Sequence, residues 1–127
     1  MMEFPLEIES KAFKAENGEY AWLKENIPAA VEALVQKGFA ILGGEVWLVR
    51  GREINAAPLL KTGPCGIFHW ESKRADSSES WSQFVQRSAG ETLQAVHNMN
   101  VEDEIVAQPE AKIFYNITWC SEEELSK

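Results

Sequence analysis

The stretch from Gly38 to Arg50 limits the possible folds of this chain more than any other part of its sequence. It holds two continuous apolar runs, Phe39–Leu42 and Val46–Val49, separated by the glycine pair Gly43-Gly44 and one glutamate. Continuous runs with β-branched and aromatic residues are typical of strands that are covered on both faces. We therefore predict strands at the centre of a sheet, joined by a hairpin turn at the glycine pair. The alternative is a β-bulge that kinks one long strand.

Apolar residues at three- and four-residue steps predict a main helix directly before this stretch. Asn26 is the expected N-cap, Pro28 lies in the first turn, and Gly38 follows the last turn. Because a proline deep inside a helix removes a hydrogen bond, the aromatic residues before Asn26 are assigned to a separate short helical turn at 20–25.

A second helix is predicted over residues 77–98, where apolar residues again follow helical spacing. Asp76 followed by Glu79 has the form of a capping box, which marks a helix start. Gly90 lies inside this segment and is expected to weaken or divide the helix, since glycine costs about 1 kcal/mol relative to alanine.

Alternating apolar and polar residues predict the remaining strands. The clearest is 112–120; residues 67–74 form another, with Phe68, Trp70 and Ser72 on its buried face. A third short strand is expected within 54–60, and an edge strand within the first 18 residues. Residues 61–66 and 101–109 are assigned to loops. The predicted fold class is α+β: a mostly antiparallel sheet of four to five strands with two main helices packed on it.

Length and charge narrow the possible functions. A chain of 127 residues without a linker or repeat is expected to form one domain, 1–127. The net charge of −8 argues against nucleic-acid binding and favours a basic protein partner. No apolar run reaches the roughly 20 residues that span a bilayer, and the N-terminus lacks the pattern of a signal peptide. We therefore expect a cytoplasmic protein that does not bind membranes; the sequence leaves a homodimer open.

The sequence has few residues that could act in catalysis or bind a metal, and they do not form a known motif. His69 and Glu71 share the polar face of a predicted strand, which is the arrangement of an oriented general base. Cys65 lies four residues before His69 in a glycine-rich loop, but no third group completes a nucleophilic set. Neither Cys65 nor Cys120 has metal-ligand spacing, and the glycine pair lacks the residues of a phosphate-binding loop. We predict no catalytic residue, no metal and no cofactor.

Tryptophans and acidic residues supply the candidates for partner binding. Three of the five tryptophans, Trp47, Trp81 and Trp119, have patterns that predict burial. Core packing is also the favoured interpretation of Trp22 and Trp70, but their positions beside a helix start and a loop make both candidates for half-exposed interface anchors. The acidic residues Glu102, Asp103, Glu104 and Glu110 are predicted to steer a basic partner to its docking site; a solvated face is the alternative.

The run from Trp22 through Ala30-Val31-Glu32-Ala33-Leu34 to Gly38–Trp47 resembles a family of small α+β bacterial immunity proteins. Members of such families are encoded beside polymorphic or contact-dependent toxins, and each neutralises its cognate toxin. The resemblance implies a non-enzymatic cytoplasmic inhibitor that binds a toxin domain, and it assigns no functional residue. Two alternatives stay open: a small-molecule or peptide-binding module with an aromatic-lined pocket, and a small hydrolase or transferase that uses His69, Glu71 or Cys65.

Overall fold

The computed structural model describes residues 6–61 and 63–125, without the side chains of Leu6, Leu59, Pro64 and Cys65. The fold is α+β, as predicted: an antiparallel sheet with helices packed on it. The strands are β1 (Phe13–Lys14), β2 (Tyr20–Leu23), β3 (Ala40–Arg50), β4 (Glu53–Asn55), β5 (Leu59–Leu60), β6 (Gly63–Cys65), β7 (His69–Glu71) and β8 (Lys112–Cys120). The helices are α1 (Leu6–Ser10), α2 (Ile27–Gln36), α3 (Trp81–Asn98), α4 (Val101–Glu104) and α5 (Glu122–Leu125).

Strand β3 is the centre of the main sheet. It pairs with β8 from Ala40 to Val49, so that the strand order is β1-β2-β8-β3-β4. Its other edge pairs with two short strands, β7 alongside the glycine pair and β4 alongside its last residues. With β7 included, the main sheet has six strands, and β5 and β6 form a separate two-stranded hairpin.

The predicted hairpin at Gly43-Gly44 is wrong, because β3 runs through both glycines as one strand. The alternative prediction is confirmed: the register with β8 shifts between Ile41 and Gly43, which marks a bulge. The glycines serve close packing rather than a turn. A Cβ at Gly43 would collide with the carbonyl oxygen of Trp70, and one at Gly44 with the carbonyl oxygen of Asn116 and the Trp70 ring.

Helix α2 follows the prediction, whereas the segment before it does not. Asn26 is the N-cap residue of α2, although its side chain makes no capping bond, and Pro28 lies in the first turn. The expected helical turn at 20–25 is wrong, because Tyr20–Leu23 pairs with β8 as strand β2. Only Lys24–Asn26 forms a 3₁₀ turn. Cross-strand pairing with a distant segment has overridden the local pattern.

Helix α3 begins at Trp81, four residues later than predicted, and passes through Gly90 without interruption. Its capping box is formed by Ser80 and Gln83: the Gln83 amide donates to Ser80 Oγ at 3.1 Å, and the Ser80 amide donates to Gln83 Oε1 at 2.8 Å. The predicted capping pair makes a separate turn before the helix, in which the Ser78 amide donates to Asp76 Oδ1 at 2.9 Å.

Arg87 on α3 links that turn to the helix through hydrogen bonds and ion pairs. Its guanidinium donates to Glu79 Oε2 at 2.7 Å and to Glu91 Oε2 at 2.9 Å. It also donates to the carbonyl oxygens of Lys73 and Arg74, both at 3.1 Å. These hydrogen bonds raise the pKa of Arg87 and lower the pKa of Glu79. The network holds residues 73–79 against α3.

The connection from β4 to β7 departs from the predicted single strand at 54–60. β5 occupies only the end of that predicted strand, and β6 lies within 61–66, where a loop was expected. The connection also contacts the segment after α3. Leu60 forms a bridge with Ile105, and the Lys61 amide donates to the Glu104 carbonyl oxygen at 2.8 Å. Between residues 6 and 18, the described part of the predicted edge-strand region, the chain forms helix α1 and a two-residue strand, β1.

The two faces of the main sheet are covered unequally. The larger core lies between the sheet and helices α2 and α3, and its members include Trp22, Ile27, Leu34, Ile41, Val46, Trp70, Tyr115 and Ile117. On the opposite face, Ala21, Trp47 and Val49 form a smaller cluster with Ala15, against which Phe13 and Phe114 pack. That cluster covers the half of the outer face nearest β1 and β4 and leaves the half beside β7 open.

Candidate partner-binding surface

The open half of the outer sheet face presents polar side chains from neighbouring strands. Glu45 of β3 pairs with Asn116 of β8 on one side and with His69 of β7 on the other. Gly43 pairs in the same way with Thr118 and Glu71. Since directly opposite residues lie about 5 Å apart at Cβ, these side chains form two adjacent rows across the sheet.

These rows form a groove of about 500 Å³, which we call the acidic groove. It is lined by Glu19, Leu42, Gly43, Gly44, Glu45, Ile67, His69, Trp70, Glu71, Asn116 and Thr118. Glu19, Glu45 and Glu71 contribute three carboxylates, and the structure shows no ion pair for any of them within the ranges it describes. The groove therefore has negative charge that no described cation neutralises.

Two side chains of the groove are held in place by hydrogen bonds. The Trp47 indole donates to Glu45 Oε1 at 2.9 Å, which fixes the direction of a partly buried carboxylate. Asn116, only 3% exposed, donates from Nδ2 to the Tyr20 carbonyl oxygen at 2.9 Å. His69 and Glu71 lie together on the exposed face of β7, as the alternation of the sequence predicts. Glu19, Glu45 and Asn116 were not predicted at this groove, because no local pattern in the sequence connects them.

The predicted acidic residues occupy a different surface. Glu102, Asp103 and Glu104 form the exposed side of α4, and Glu110 is exposed in the turn before β8 with a φ of 63°. Beside α4, a second groove of about 590 Å³ brings Glu102 together with Glu25, Lys24, Lys112 and Tyr115. Burial raises the pKa of Tyr115, and the charge of Glu102 adds to the effect.

The two tryptophans proposed as interface anchors are core residues. Trp22 is 0% exposed, and its indole donates to the Ile8 carbonyl oxygen at 3.1 Å. Trp70 is 7% exposed, lies over Gly44 and donates to Thr92 Oγ1 at 3.2 Å. The expectation of half-exposed rings is wrong for both, because β2 and β7 turn these side chains toward the helices. Trp22 offers a partner no surface in this conformation, and Trp70 offers little.

Of the groups considered for catalysis, the structure describes the side chains of His69 and Glu71. His69 and Glu71 lie on the exposed face of β7, while Cys120 is buried with a free thiol, whose pKa is raised first by burial and then by Glu124. The Cys65 side chain lies outside the description. Within residues 6–61 and 63–125, no group of three or more His, Cys, Asp or Glu side chains has the arrangement of a metal site. None of the helices in those ranges is long and apolar enough to cross a membrane.

The structure thus defines a small α+β protein with a partly uncovered sheet face and two acidic surfaces. The model of a known protein family, Immunity protein 40 (Imm40), matches residues 11–119. That range includes all six strands of the main sheet except the last residue of β8, together with α2 and α3. The chain belongs to this immunity protein family. Comparisons with curated proteins and with solved structures give no match.

Proposed function

We propose that this protein binds a cognate bacterial toxin domain in the cytoplasm and neutralises it by covering it, without catalysing a reaction. The observation that carries the proposal is the match to the Immunity protein 40 family over residues 11–119. The partner is a protein rather than a nucleic acid or a membrane, because a net charge of −8 repels phosphate groups and anionic lipids.

Charge favours a basic toxin domain. Glu102, Asp103, Glu104 and Glu110 are all exposed and lie close together in the chain, so that α4 and the turn before β8 carry negative charge at the surface. Such charges attract an oppositely charged protein over several ångströms and raise the rate of encounter. We infer that these four residues steer the toxin, whereas Trp22 and Trp70 stabilise the fold instead of the complex.

Co-expression tests the proposal. A toxin domain encoded beside this gene is expressed alone and together with this protein; we expect rescue of growth and co-purification of the two chains. Toxin released from the purified complex with denaturant and then refolded should regain activity, because covering leaves it chemically unchanged. Toxin that stays inactive after release, or carries a covalent modification, would show that the protein is an enzyme.

Variants of Cys65 and His69 test whether protection requires catalysis by this protein. Protection should persist in Cys65→Ala and His69→Ala, because His69 has no described nucleophile beside it and Cys120 is buried away from the groove. The matched control is Thr118→Ala, another exposed side chain of the same groove. Loss of protection in either test variant, with the fold and toxin binding intact, would contradict the non-enzymatic mechanism.

A further inference from the structure

We propose that the free edge of β7 pairs with the same edge of a second copy of this chain, so that the main sheets of two molecules join into one antiparallel sheet. The inference rests on the unpaired backbone of β7 and on the order of His69 and Glu71 along it. It concerns this chain alone and does not depend on the identity of the partner in the proposed function.

Two backbone hydrogen bonds show which side of β7 faces β3. The Val46 amide donates to the Phe68 carbonyl oxygen, and the Ser72 amide donates to the Leu42 carbonyl oxygen, both at 2.9 Å. In an antiparallel strand, the backbone N–H and C=O groups of successive residues alternate between the two sides of the strand. Phe68, Ser72 and Trp70 between them therefore turn their backbone groups toward β3.

His69 and Glu71 turn their backbone groups to the opposite side. Within residues 6–61 and 63–125, no strand pairs with that side of β7, and neither residue takes part in a hydrogen bond outside the sheet. Two N–H and two C=O groups are therefore available to another extended segment. Such a row of unpaired groups is what allows one sheet to pair edge to edge with another.

The edge strands β1 and β4 present less free backbone than β7 does. At β1 only Lys14 turns its backbone outward, because the residue after it donates to the Glu19 carbonyl oxygen at 2.8 Å. A lysine on an edge also disfavours pairing. At β4, Arg50 pairs with Glu53 around a two-residue turn, which leaves only Ile54 facing outward. The structure thus favours β7 over both.

The side chains on the β7 edge are complementary to themselves. When two β7 strands pair antiparallel about a two-fold axis at Trp70, His69 lies opposite the second copy's Glu71, and the axis repeats the pair. An imidazole N–H can donate to a carboxylate whether the histidine is neutral or charged, so both pairs are favourable. A shift of the register by two residues would place two histidines or two glutamates opposite each other. The side chains therefore select one register.

The surroundings of the edge fit this pairing. His69 and Glu71 are exposed, so that association requires no change in the core. Glu45 is paired with His69 within the molecule, which places His69 between Glu45 and the second copy's Glu71. Ile67, just before β7, is 59% exposed. In the same register it lies opposite the second copy's Lys73, whose methylene groups can cover it.

The expected dimer is weak. The edge is short, and a net charge of −8 on each chain repels a second copy at long range. Physiological salt screens this repulsion beyond about 8 Å, so that it opposes the approach more than the contact itself. We therefore expect self-association at high protein concentration and a monomer at low concentration.

Sedimentation equilibrium of the full chain, from micromolar to millimolar concentration at physiological salt, tests the proposal. His69→Glu places like charges opposite each other in both pairs and should raise the dimer dissociation constant about tenfold or more. The double exchange His69→Glu/Glu71→His restores unlike partners and should return the constant to near the wild-type value. His97→Glu makes the same change at an exposed residue of α3 and is the matched control, with little effect expected.

Amide exchange with water locates the contact without any variant. The His69 and Glu71 amides of ¹⁵N-labelled wild-type protein should exchange fast at low concentration and become protected at high concentration. The Trp70 amide faces β3 and should be protected at both concentrations.

A wild-type protein that stays monomeric at millimolar concentration would overturn the inference. So would a dimer that His69→Glu does not weaken, that the double exchange does not restore, or that leaves the His69 and Glu71 amides unprotected. Protection of these amides in a monomer only after toxin domain is added would assign the edge to the toxin instead, and the proposed function would stand. Failure of growth rescue on co-expression bears on the proposed function alone.

Discussion

At Gly44 the central strand has room for a hydrogen atom and nothing larger. A Cβ at this residue would collide with the Asn116 carbonyl oxygen and with the Trp70 ring, whose carbon Cζ2 would lie 2.6 Å away. The absence of a side chain at Gly44 lets the Trp70 ring pack against β3 while its indole donates to Thr92 on α3. One missing side chain therefore permits contact between a sheet edge and a helix.

Alanine substitutions at two glycines should have opposite effects. Gly44→Ala should destabilise the protein by about 3 kcal/mol or more, because backbone and ring atoms must move to admit a methyl group. Gly90→Ala should stabilise it by about 0.5–1 kcal/mol, since Gly90 lies inside α3 with no atom near its Cβ position. Urea denaturation measures both. A tolerated Gly44→Ala would mean that β3 and β7 do not approach each other as described.

Trp47 carries the smaller core on the outer face. It is 3% exposed, and Phe13 packs edge-on against it with ring centroids 6.4 Å apart. Trp47→Ala should cost about 3–5 kcal/mol through lost burial and an incompletely closed cavity. Trp81→Ala, at a half-buried ring on α3, is the matched control and should cost less. A loss below about 1 kcal/mol at Trp47 in a denaturant melt would contradict its burial.

At the scale of the element, the turn before α3 depends on ionised carboxylates. The pKa of Glu79 is lowered from its ordinary value of 4.5, first by the hydrogen bonds from Arg87. A lowered pKa means that the folded state binds fewer protons than the unfolded state. The stabilising effect is therefore fully present above about pH 4.5 and is lost as the pH falls toward the lower pKa of the folded state.

Glu79→Gln should accordingly lower the melting temperature most at neutral pH. The difference from wild type should shrink as the pH falls below about 4.5, because protonation removes the same interaction from the wild type. Glu53→Gln is the control, since its ion pair with Arg50 is 3.8 Å long and exposed. Melting curves at neutral and acidic pH measure the effect. A difference independent of pH would contradict the role of the Glu79 charge.

Elements with a strong local signal could be predicted from the sequence, and those that depend on distant partners could not. The alternation in 112–120 matches β8, and the helical spacing after Asn26 matches α2. Tyr20–Leu23 becomes a strand only because it pairs with residues 114–116, far away in the chain. The acidic groove follows the same rule: the polar face of β7 was visible in the sequence, whereas its meeting with Glu45 and Asn116 depends on register.

At the scale of the whole molecule, the net charge of −8 is shared between separate surfaces. Neutralising Glu102, Asp103 and Glu104 together should slow toxin association several-fold and flatten its dependence on salt, because steering by exposed charges is screened within about 8–10 Å. Dissociation should change little. Stopped-flow association across a salt series measures this. An unchanged salt slope would leave α4 as a solvated face.

The strand order also constrains how the chain reaches its folded state. Strand β8 lies between β2 and β3, and its residue Cys120 pairs with Ala40. Until β8 has been synthesised, β2 and β3 have no common neighbour, and the interior between sheet and helices stays open to water. Loop closure over such long separations makes folding slow compared with that of helical bundles. A newly made chain can therefore complete its main sheet only after translation has passed Cys120, so a ribosome-bound chain that ends before β8 exposes the apolar faces of β2 and β3.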